Sequence, residues 1–184
     1  MASASPQRRA ILEQIGVLFE VRPSDAEELE DGPPAEVVLE NAHRKAAAVA
    51  RRAGAGSPPI LGVDTVVTLG RGGPMYGKPR DAGHAAEMLS ALAGRRHIVL
   101  SGVCLIEPDR IRTAAAETVV QFRALGAAAI GAYVATGEWR GRAGGYAIQG
   151  IGATLVQRIE GDYLSVVGLP ISTLLDLAPW LAPG

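Results

Sequence analysis

Residues 60–67 read ILGVDTVV, an apolar and largely β-branched run that is interrupted by one charge, Asp64. This composition predicts a buried strand from Ile60 to Leu69. A carboxylate inside such a strand is costly to bury unless it is paired or binds a metal. Asp64 is therefore either a functional group or an aspartate that faces solvent at a bend near Gly62, and the residues alone favour the two interpretations equally.

Helix and strand patterns alternate on both sides of this run. Downstream, Gly70–Gly73 predicts a turn into a return strand at 75–76, and Asp81 is a natural N-cap for a helix that ends at Gly94. Upstream, Ser5-Pro6 predicts a helix start. The remaining predicted strands are 17–22, 96–107, 111–122, 153–159 and 163–167, and the remaining predicted helices are 35–53, 127–135 and 172–181. We expect one domain over residues 1–184, of the α/β class, with a mixed sheet and flanking helices.

The composition indicates an ordinary globular protein. The chain has 184 residues, of which 48% are hydrophobic and 20% are charged, and its net charge is -1. Domains that coat nucleic acids are usually strongly basic, so this charge argues against that class. No apolar run approaches the roughly 20 residues that cross a bilayer, and residues 1–9 lack the apolar core of a signal peptide. We therefore expect a cytoplasmic protein with no nucleic-acid partner and no membrane partner.

The sequence contains one cysteine and three histidines. Cys104 lies in an apolar run at 103–106, which predicts a buried thiol in a strand. His43, His84 and His97 show no metal-ligand spacing, so we expect all three to be structural or on the surface.

Three further segments have the residue types of an anion-binding site. Residues 3–9 (SASPQRR) place hydroxyls and arginines at a helix N-terminus, where free N–H groups and the helix dipole favour phosphate. Lys78 lies on a stiff turn between glycine and proline, and residues 142–150 (RAGGYAIQG) combine paired glycines with Gln149, whose amide can read a base edge. Each segment also has a plainer interpretation: a capped helix with solvated arginines, an exposed turn lysine, and a loop that leads into a strand.

Taken in order, these segments resemble the Maf family of nucleoside triphosphate pyrophosphatases over nearly the whole chain. The matching motifs are ASASP at 2–6, GVLF at 16–19, EE at 27–28, RKA at 44–46, GVDT at 62–65, GKP at 77–79, ML at 88–89 with LAG at 92–94, AGGYAIQG at 143–150 and VGLP at 167–170. The resemblance implies an α/β fold with a cleft between two lobes, related to that of inosine triphosphate pyrophosphatases. It also implies that water attacks the α-phosphorus, that pyrophosphate leaves, and that Mg²⁺ or Mn²⁺ takes part.

The same resemblance assigns roles to individual residues. Asp64 matches the family's catalytic aspartate, described as the proton acceptor. Positions that hold the triphosphate are matched by Ser3, Arg8, Lys45 and Lys78, and the implied metal ligands are Glu28 and Asp64. These roles agree with the chemistry, because phosphoryl transfer requires charge neutralisation and alignment more than covalent catalysis.

One subgroup of the family acts on dTTP and UTP, and another acts on 7-methyl-GTP. Thr65 after the aspartate and Gln149 in the Tyr-x-Ile-Gln-Gly segment resemble the first subgroup, and a glutamine can meet both a carbonyl and the N3–H of thymine or uracil. That subgroup often has arginine where this chain has Gln7, at a position tied to specificity. We expect these three residues to set the base preference, with CTP and modified pyrimidines left open by Gln7.

Two other functions are compatible with the sequence: a nucleotide-binding regulator of septum formation with little turnover, and a pyrophosphatase for deaminated purine nucleotides. A homodimer is common among similar proteins, although no spacing here demonstrates one. Only Met1 and Ala2 precede Ser3, where the family normally has an apolar strand. The first strand is therefore expected to be short or absent.

Overall fold

A five-stranded sheet with the strand order β2-β1-β3-β4-β5 forms the centre of the molecule. The computed structural model describes residues 1–54 and 56–182, so residues 55, 183 and 184 of the predicted domain lie outside the described residues. The strands are β1 (Ile60–Thr68), β2 (Met75–Tyr76), β3 (Arg96–Ile106), β4 (Ile111–Phe122) and β5 (Val156–Glu160). Helices flank the sheet, so the predicted α/β class is confirmed.

The direction of the strands differs from the prediction. Every strand pairing in the described part of the chain is antiparallel, whereas the sequence predicted a mixed sheet. Short turns join β1 to β2 and β3 to β4, and such turns can connect only antiparallel neighbours. The connection that contains α3 leads from β2 to β3, which pairs antiparallel with β1, and the one that contains α4 joins the antiparallel neighbours β4 and β5. No hydrophobic pattern specifies either arrangement.

Except for α5, the helices of the described chain begin and end close to the predicted residues. They are α1 (Pro6–Gln14), α2 (Pro34–Ala53), α3 (Ala82–Leu92), α4 (Ala127–Thr136), α5 (Tyr163–Val167) and α6 (Ile171–Leu177). The predicted caps are present: Ser5 Oγ accepts from the Arg8 amide at 3.4 Å, and Asp81 Oδ1 accepts from the His84 amide at 2.8 Å. Among the described residues, no helix has both the length and the apolar character that a membrane crossing requires.

One short predicted strand is a helix, and another begins later than predicted. Residues 163–167 form α5, because Asp162 caps the Leu164 amide at 2.8 Å and Gly168 ends the turn. A five-residue apolar segment is too short for its periodicity to separate strand from helix, so the capping residues decide. Residues 150–155 form a 3-10 turn, and the strand predicted from 153 begins at Val156.

Helix α2 lies unusually close to the sheet. A Cβ atom added at Gly62 of β1 would collide with the Ala42 carbonyl, and one added at Gly102 of β3 would collide with the Val38 carbonyl. The helix backbone therefore rests directly on two strand glycines. This contact brings the side chains of the next helical turn over the centre of β1.

Two apolar clusters lie on the opposite face of the sheet, at the two ends of β1 and β3. One cluster joins Leu61 and Val63 to residues of α1 and α6. The other joins Val67 and Val99 to residues of α3 and α4. They form the cores of two lobes with a cleft between them, as predicted. The relation to inosine triphosphate pyrophosphatases stays a prediction.

The first residues lie along the outer edge of β1, whose other end is paired with β2. The Ala2 amide donates to the Leu61 carbonyl at 2.7 Å, and the Met1 carbonyl accepts from the Arg22 amide at 3.0 Å. These residues are extended without forming a strand, in agreement with the expectation of a short or absent first strand. Residues 17–22, predicted as a strand, are not assigned to one either.

Candidate active site

A cleft of about 420 Å³ lies between the two lobes and follows the outer edge of β1. Successive residues of a strand point to opposite faces, so Asp64 faces α2 and Thr65 faces the other side of the sheet. The cleft brings together every site residue that the sequence indicated: Ser3, Gln7, Arg8, Glu28, Lys45, Asp64, Thr65, Lys78 and Gln149.

The ammonium group of Lys45 joins two carboxylates in this cleft. Its Nζ lies 2.6 Å from Asp64 Oδ1 and 3.0 Å from Glu28 Oε1. Asp64 is only 5% exposed, so it is a paired, buried group and not an aspartate at a solvent-facing bend. Burial favours a higher pKa for Asp64, but the neighbouring Lys45 outweighs burial, with help from Arg8 and Asn41, and holds that pKa below its ordinary value. Asp64 is therefore ionised at neutral pH.

Asn41 connects the acidic segment at residues 23–34, which contains Glu28, to Asp64. Its Nδ2 donates to Asp64 Oδ2 at 3.2 Å and to the Leu29 carbonyl at 3.0 Å, while its Oδ1 accepts from the Leu29 amide at 2.7 Å. Leu29 follows Glu28 directly, so this amide fixes where Glu28 lies relative to Asp64. Asn41 and Lys45 are one helical turn apart on α2 and project from the same face of it.

The side chain of Arg8 donates hydrogen bonds to three separate segments of the chain. Its Nε donates to the Gly168 carbonyl at 2.8 Å, its Nη1 to the Val63 carbonyl at 2.9 Å and to Ser3 Oγ at 3.1 Å, and its Nη2 to Thr65 Oγ1 at 3.2 Å. Burial lowers the pKa of Arg8, but the ordinary value is so high that the guanidinium stays charged. The predicted phosphate ligand thus also orients the hydroxyls of Ser3 and Thr65.

Thr65 is part of a buried chain of hydroxyl groups. Its Oγ1 lies 2.9 Å from Ser101 Oγ on the neighbouring strand, and Ser101 Oγ donates to the Ser165 carbonyl at 3.0 Å. Thr65 and Ser101 are paired residues in the antiparallel register of β1 and β3. The hydroxyl of Thr65 is therefore held in one orientation beside the cleft.

Three cationic side chains also line the cleft, namely Lys78, Arg140 and Arg142. Within the described chain, none of the three has an acidic partner within 4.0 Å, and the buried Nε of Arg142 has no hydrogen-bond partner. Arg140 lies over the ring of Trp139 at 4.7 Å from its centre. Lys45 and Lys78 are the two lysines of the sequence, and both line this cleft.

Tyr146 and Gln149 also line the cleft. Tyr146 is buried, and its hydroxyl lies 3.0 Å from His97 Nε2. Burial lowers the pKa of His97 to about 4, so His97 is neutral at physiological pH and has the structural role that the sequence predicted. Cys104 is fully buried as predicted, and burial raises the pKa of its thiol to about 11.

A family model described as Maf-like protein matches residues 1–179 of this chain. The chain belongs to the Maf family. Three relatives of this Maf chain share the name dTTP/UTP pyrophosphatase. A dTTP/UTP pyrophosphatase from Gloeobacter violaceus is 50% identical over 179 residues, which cover 96% of this chain and 92% of that protein. The dTTP/UTP pyrophosphatase of Pyrococcus furiosus is 42% identical with the same coverage, and one from Anaeromyxobacter sp. is 43% identical over 100% of this chain and 93% of that protein.

The acidic groups of this Maf chain suit a cation that is shared with a substrate. Magnesium is often held by one or two carboxylates together with substrate phosphates and water. Asp64 and Glu28 supply two such carboxylates at one end of the cleft. The described residues contain no group of three or more His, Cys, Asp or Glu that could hold a metal by protein ligands alone. The donor set therefore fits a cation that completes its coordination with phosphate oxygens.

Three residues of the Maf site were not assigned roles from the sequence. Asn41 could have been found from its position one turn before Lys45, on a face of α2 that is apolar apart from these two residues, because a buried polar side chain needs a partner. Arg140 and Arg142 flank a glycine in a loop, where charged residues are usually solvated. Only the folded chain shows that this loop forms a wall of the cleft.

Proposed function

We propose that this Maf-family chain hydrolyses dTTP- and UTP-type nucleoside triphosphates in the cytoplasm to the monophosphate and pyrophosphate. The proposal is supported by one arrangement: a single cleft is lined by an ionised Asp64 paired with Lys45 and by Lys78 and Arg142, which have no acidic partner among the described residues. A polyanion that enters the cleft meets both positive charge and a proton acceptor. The names of the relatives support this substrate class.

Asp64 has the properties of a proton acceptor. In the proposed reaction a water oxygen forms a bond to the α-phosphorus, the bond from that phosphorus to the bridging oxygen breaks, and pyrophosphate leaves with the electron pair. Asp64 Oδ2 accepts the proton that the water loses. Its orientation is set by Lys45 on Oδ1 and Asn41 on Oδ2, so the carboxylate needs no rearrangement before it acts.

In the proposed complex, charge on the phosphates is balanced first by cations that have no acidic partner among the described residues. Lys78 provides a compact ammonium on an exposed turn, and Arg142 provides a planar guanidinium that suits two phosphate oxygens. A backbone hydrogen bond helps to hold these two residues together. The Gly144 amide donates to the Gly77 carbonyl at 3.0 Å, which joins the loop that carries Arg142 to the turn that carries Lys78. Ser3 and Arg8 complete the phosphate site at the start of α1.

Asp64 and Glu28 are the residues we propose to hold Mg²⁺ or Mn²⁺. A bound divalent cation supplies neutralisation of phosphate charge and polarisation of the phosphorus–oxygen bond. In its absence Lys45 balances both carboxylates. We infer that the Lys45 ammonium, which has three donors and uses two of them on Asp64 and Glu28, directs the third to a phosphate oxygen when substrate enters.

Gln149, Thr65 and Gln7 are proposed to select the base. All three line the cleft, and Gln149 is exposed with its amide free to meet a carbonyl and an N3–H of a pyrimidine. Gln7 accepts from the Ser5 hydroxyl at 3.2 Å, which leaves its amide donors available to the ligand. Because the Gln7 amide is neutral, it selects less strongly than an arginine would for a negatively charged or electron-rich group on the nucleotide.

A hydrolysis panel tests the proposal. The protein is incubated with dTTP, UTP, CTP, 7-methyl-GTP and dITP, each with Mg²⁺ or Mn²⁺ or with a chelator, and pyrophosphate is assayed separately from orthophosphate. We expect pyrophosphate from dTTP and UTP, and a loss of about 10²–10⁴-fold in the Asp64→Asn variant, as for removal of a general base. Asp176→Asn, an exposed carboxylate outside the cleft, is the matched control and is expected to retain activity.

The other outcomes identify the alternatives. Pyrophosphate mainly from dITP supports a pyrophosphatase for deaminated purines, and pyrophosphate mainly from 7-methyl-GTP overturns the roles given to Thr65 and Gln149. Binding of dTTP by a folded protein that releases no pyrophosphate from any nucleotide supports the regulator and contradicts the proposed enzyme.

A further inference from the structure

The side chain of Glu138 holds the segment that follows Gln149. Its Oε1 accepts from the Ile151 amide and its Oε2 from the Gly152 amide, each at 2.9 Å. Both amides belong to the 3-10 turn Gly150–Leu155, which begins directly after Gln149. A single carboxylate therefore fixes two successive peptide groups beside the residue proposed to read the base.

Glu138 reaches this position from the end of α4. Gly137 terminates the helix in the left-handed conformation, with φ of 74°. The Glu138 amide then donates to Thr136 Oγ1 at 3.2 Å, and the Thr136 hydroxyl donates to the Tyr133 carbonyl at 2.6 Å. The backbone of Glu138 is thus fixed by the end of the helix, outside the segment that its side chain holds.

The segment has little freedom around this carboxylate. A Cβ atom added at Gly150 would lie 2.6 Å from Glu138 Oε1. At the other end of the segment, the Ala147 amide donates to the Tyr133 hydroxyl at 2.9 Å. Residues 147–152 are therefore anchored to α4 on both sides of Gln149.

We propose that Glu138 is a positioning residue for base recognition, because it sets the location of Gln149 relative to the phosphate-binding part of the cleft. Gln149 lines the cleft, whereas Glu138 is not among the described residues that line it. The inference rests on the proposed function and extends it. It assigns part of the base selectivity to the carboxylate of Glu138, which does not itself contact the nucleotide.

An electrostatic role for Glu138 predicts the opposite result. Glu138 lies in the loop that carries Arg140 and Arg142, and its charge acts on Arg142. Removal of a negative charge near these arginines strengthens the binding of any polyanion. Loss of positioning instead weakens the binding of nucleotides that carry a base, and leaves a polyphosphate without a base unaffected.

Glu138→Gln separates the two roles, since it keeps the shape of the side chain but replaces one acceptor with a donor. We expect the KM for dTTP to rise about tenfold, the effect of leaving one hydrogen-bonding group unpaired, while kcat changes by no more than about twofold. The inhibition constant of inorganic tripolyphosphate, used as a competitor without a base, is expected not to rise. An unchanged KM, or an equal rise in both constants, overturns the proposal.

A double-mutant cycle with Gln149→Ala gives a second readout. If Glu138 acts through Gln149, then Glu138→Gln causes no further rise in KM when Gln149 is already alanine. Additive effects of the two substitutions contradict the proposal. A purely structural role for Glu138 would also produce additive losses and a fall in kcat.

Gly150→Ala disturbs the same contact from the other side and serves if Glu138→Gln does not fold. For this variant too we expect the KM for dTTP to rise and the inhibition constant of tripolyphosphate to stay unchanged. If the wild-type protein releases no pyrophosphate, the proposed function fails. Calorimetric affinities for dTTP and tripolyphosphate then still test Glu138 independently, and equal losses for both ligands overturn its role.

Discussion

Asn41 donates a hydrogen bond from Nδ2 to Oδ2 of Asp64, 23 positions later in the chain, over 3.2 Å. The same amide group pairs with both backbone groups of Leu29. One neutral side chain thus connects the helix, the strand and the acidic segment that together form this end of the cleft. It completes the coordination of the Asp64 carboxylate on the side that Lys45 leaves open.

Asn41→Leu is expected to lower kcat/KM for dTTP by about tenfold to a hundredfold, because the loss of a buried hydrogen-bonding partner costs about 1–3 kcal/mol. The backbone of Leu29 loses its partners, so Glu28 is no longer fixed relative to Asp64. Limited proteolysis should show faster cleavage within residues 23–33, with the melting curve still cooperative. His43→Leu, on the same helix and half-exposed, is the control and should leave both measurements unchanged.

Lys45→Met should destabilise the protein and abolish its turnover. Breaking a buried ion pair leaves an uncompensated charge and costs about 3–5 kcal/mol of unfolding free energy, measured by urea denaturation. The double variant Lys45→Met with Asp64→Leu should regain most of that stability and none of the activity. Arg52, on the same helix as Lys45, forms an exposed ion pair with Asp25 in the preceding segment. Arg52→Met removes this pair and should lower the free energy of unfolding by less than about 1 kcal/mol. Equal losses for Lys45 and Arg52 would contradict the buried pair.

Gly102→Ala should lower the unfolding free energy by about 1–3 kcal/mol, as expected for an atom inserted into a packed contact. The new methyl group must push the Val38 carbonyl, and with it α2, away from the sheet. Activity should fall as well, since Asn41 and Lys45 move away from Asp64. Gly72→Ala is the matched control, because a Cβ atom there meets nothing within 4 Å. A neutral effect of Gly102→Ala would show that α2 does not rest on β3.

His97 should make the protein less stable in acid. The unfolded chain protonates this residue near its ordinary pKa of about 6.5, whereas the folded protein does so only near 4. Between these values the unfolded state binds more protons, so the free energy of unfolding falls as the pH decreases from about 6.5 to 4. The difference of about 2.5 units corresponds to about 3 kcal/mol. Urea denaturation at several pH values should show this slope, and His97→Gln should remove it.

Much of the fold follows from local signals in the sequence. The long strands β1, β3 and β4 were predicted within one or two residues because their apolar, β-branched runs are long and end at turns. The N-cap residues Ser5 and Asp81 likewise predicted where α1 and α3 begin. The motif residues were predicted to meet at one cleft, and the structure brings them together.

The remaining features depend on contacts between distant parts of the chain. Packing decides whether the strand after a helical connection pairs parallel or antiparallel with its neighbour. The prediction of a mixed sheet was wrong because the sequence does not contain this information locally. The segment at 163–167 reads as a strand until Asp162 and Gly168 are seen to cap it. The importance of Glu138 and Asn41 lies in partners that are far away in sequence, and no local pattern identifies such partners.

The two lysines of the chain have a practical consequence for chemical labelling. Lys45 is buried between two carboxylates, whereas Lys78 is exposed and has no ionic partner among the described residues. An amine-directed reagent therefore has one readily accessible lysine, and that lysine lies in the cleft. Protection of this amine from acylation would report ligand occupancy in the unmodified protein. By the same argument, attaching the protein to a dye or a surface through lysine would block the site that the experiment is meant to observe.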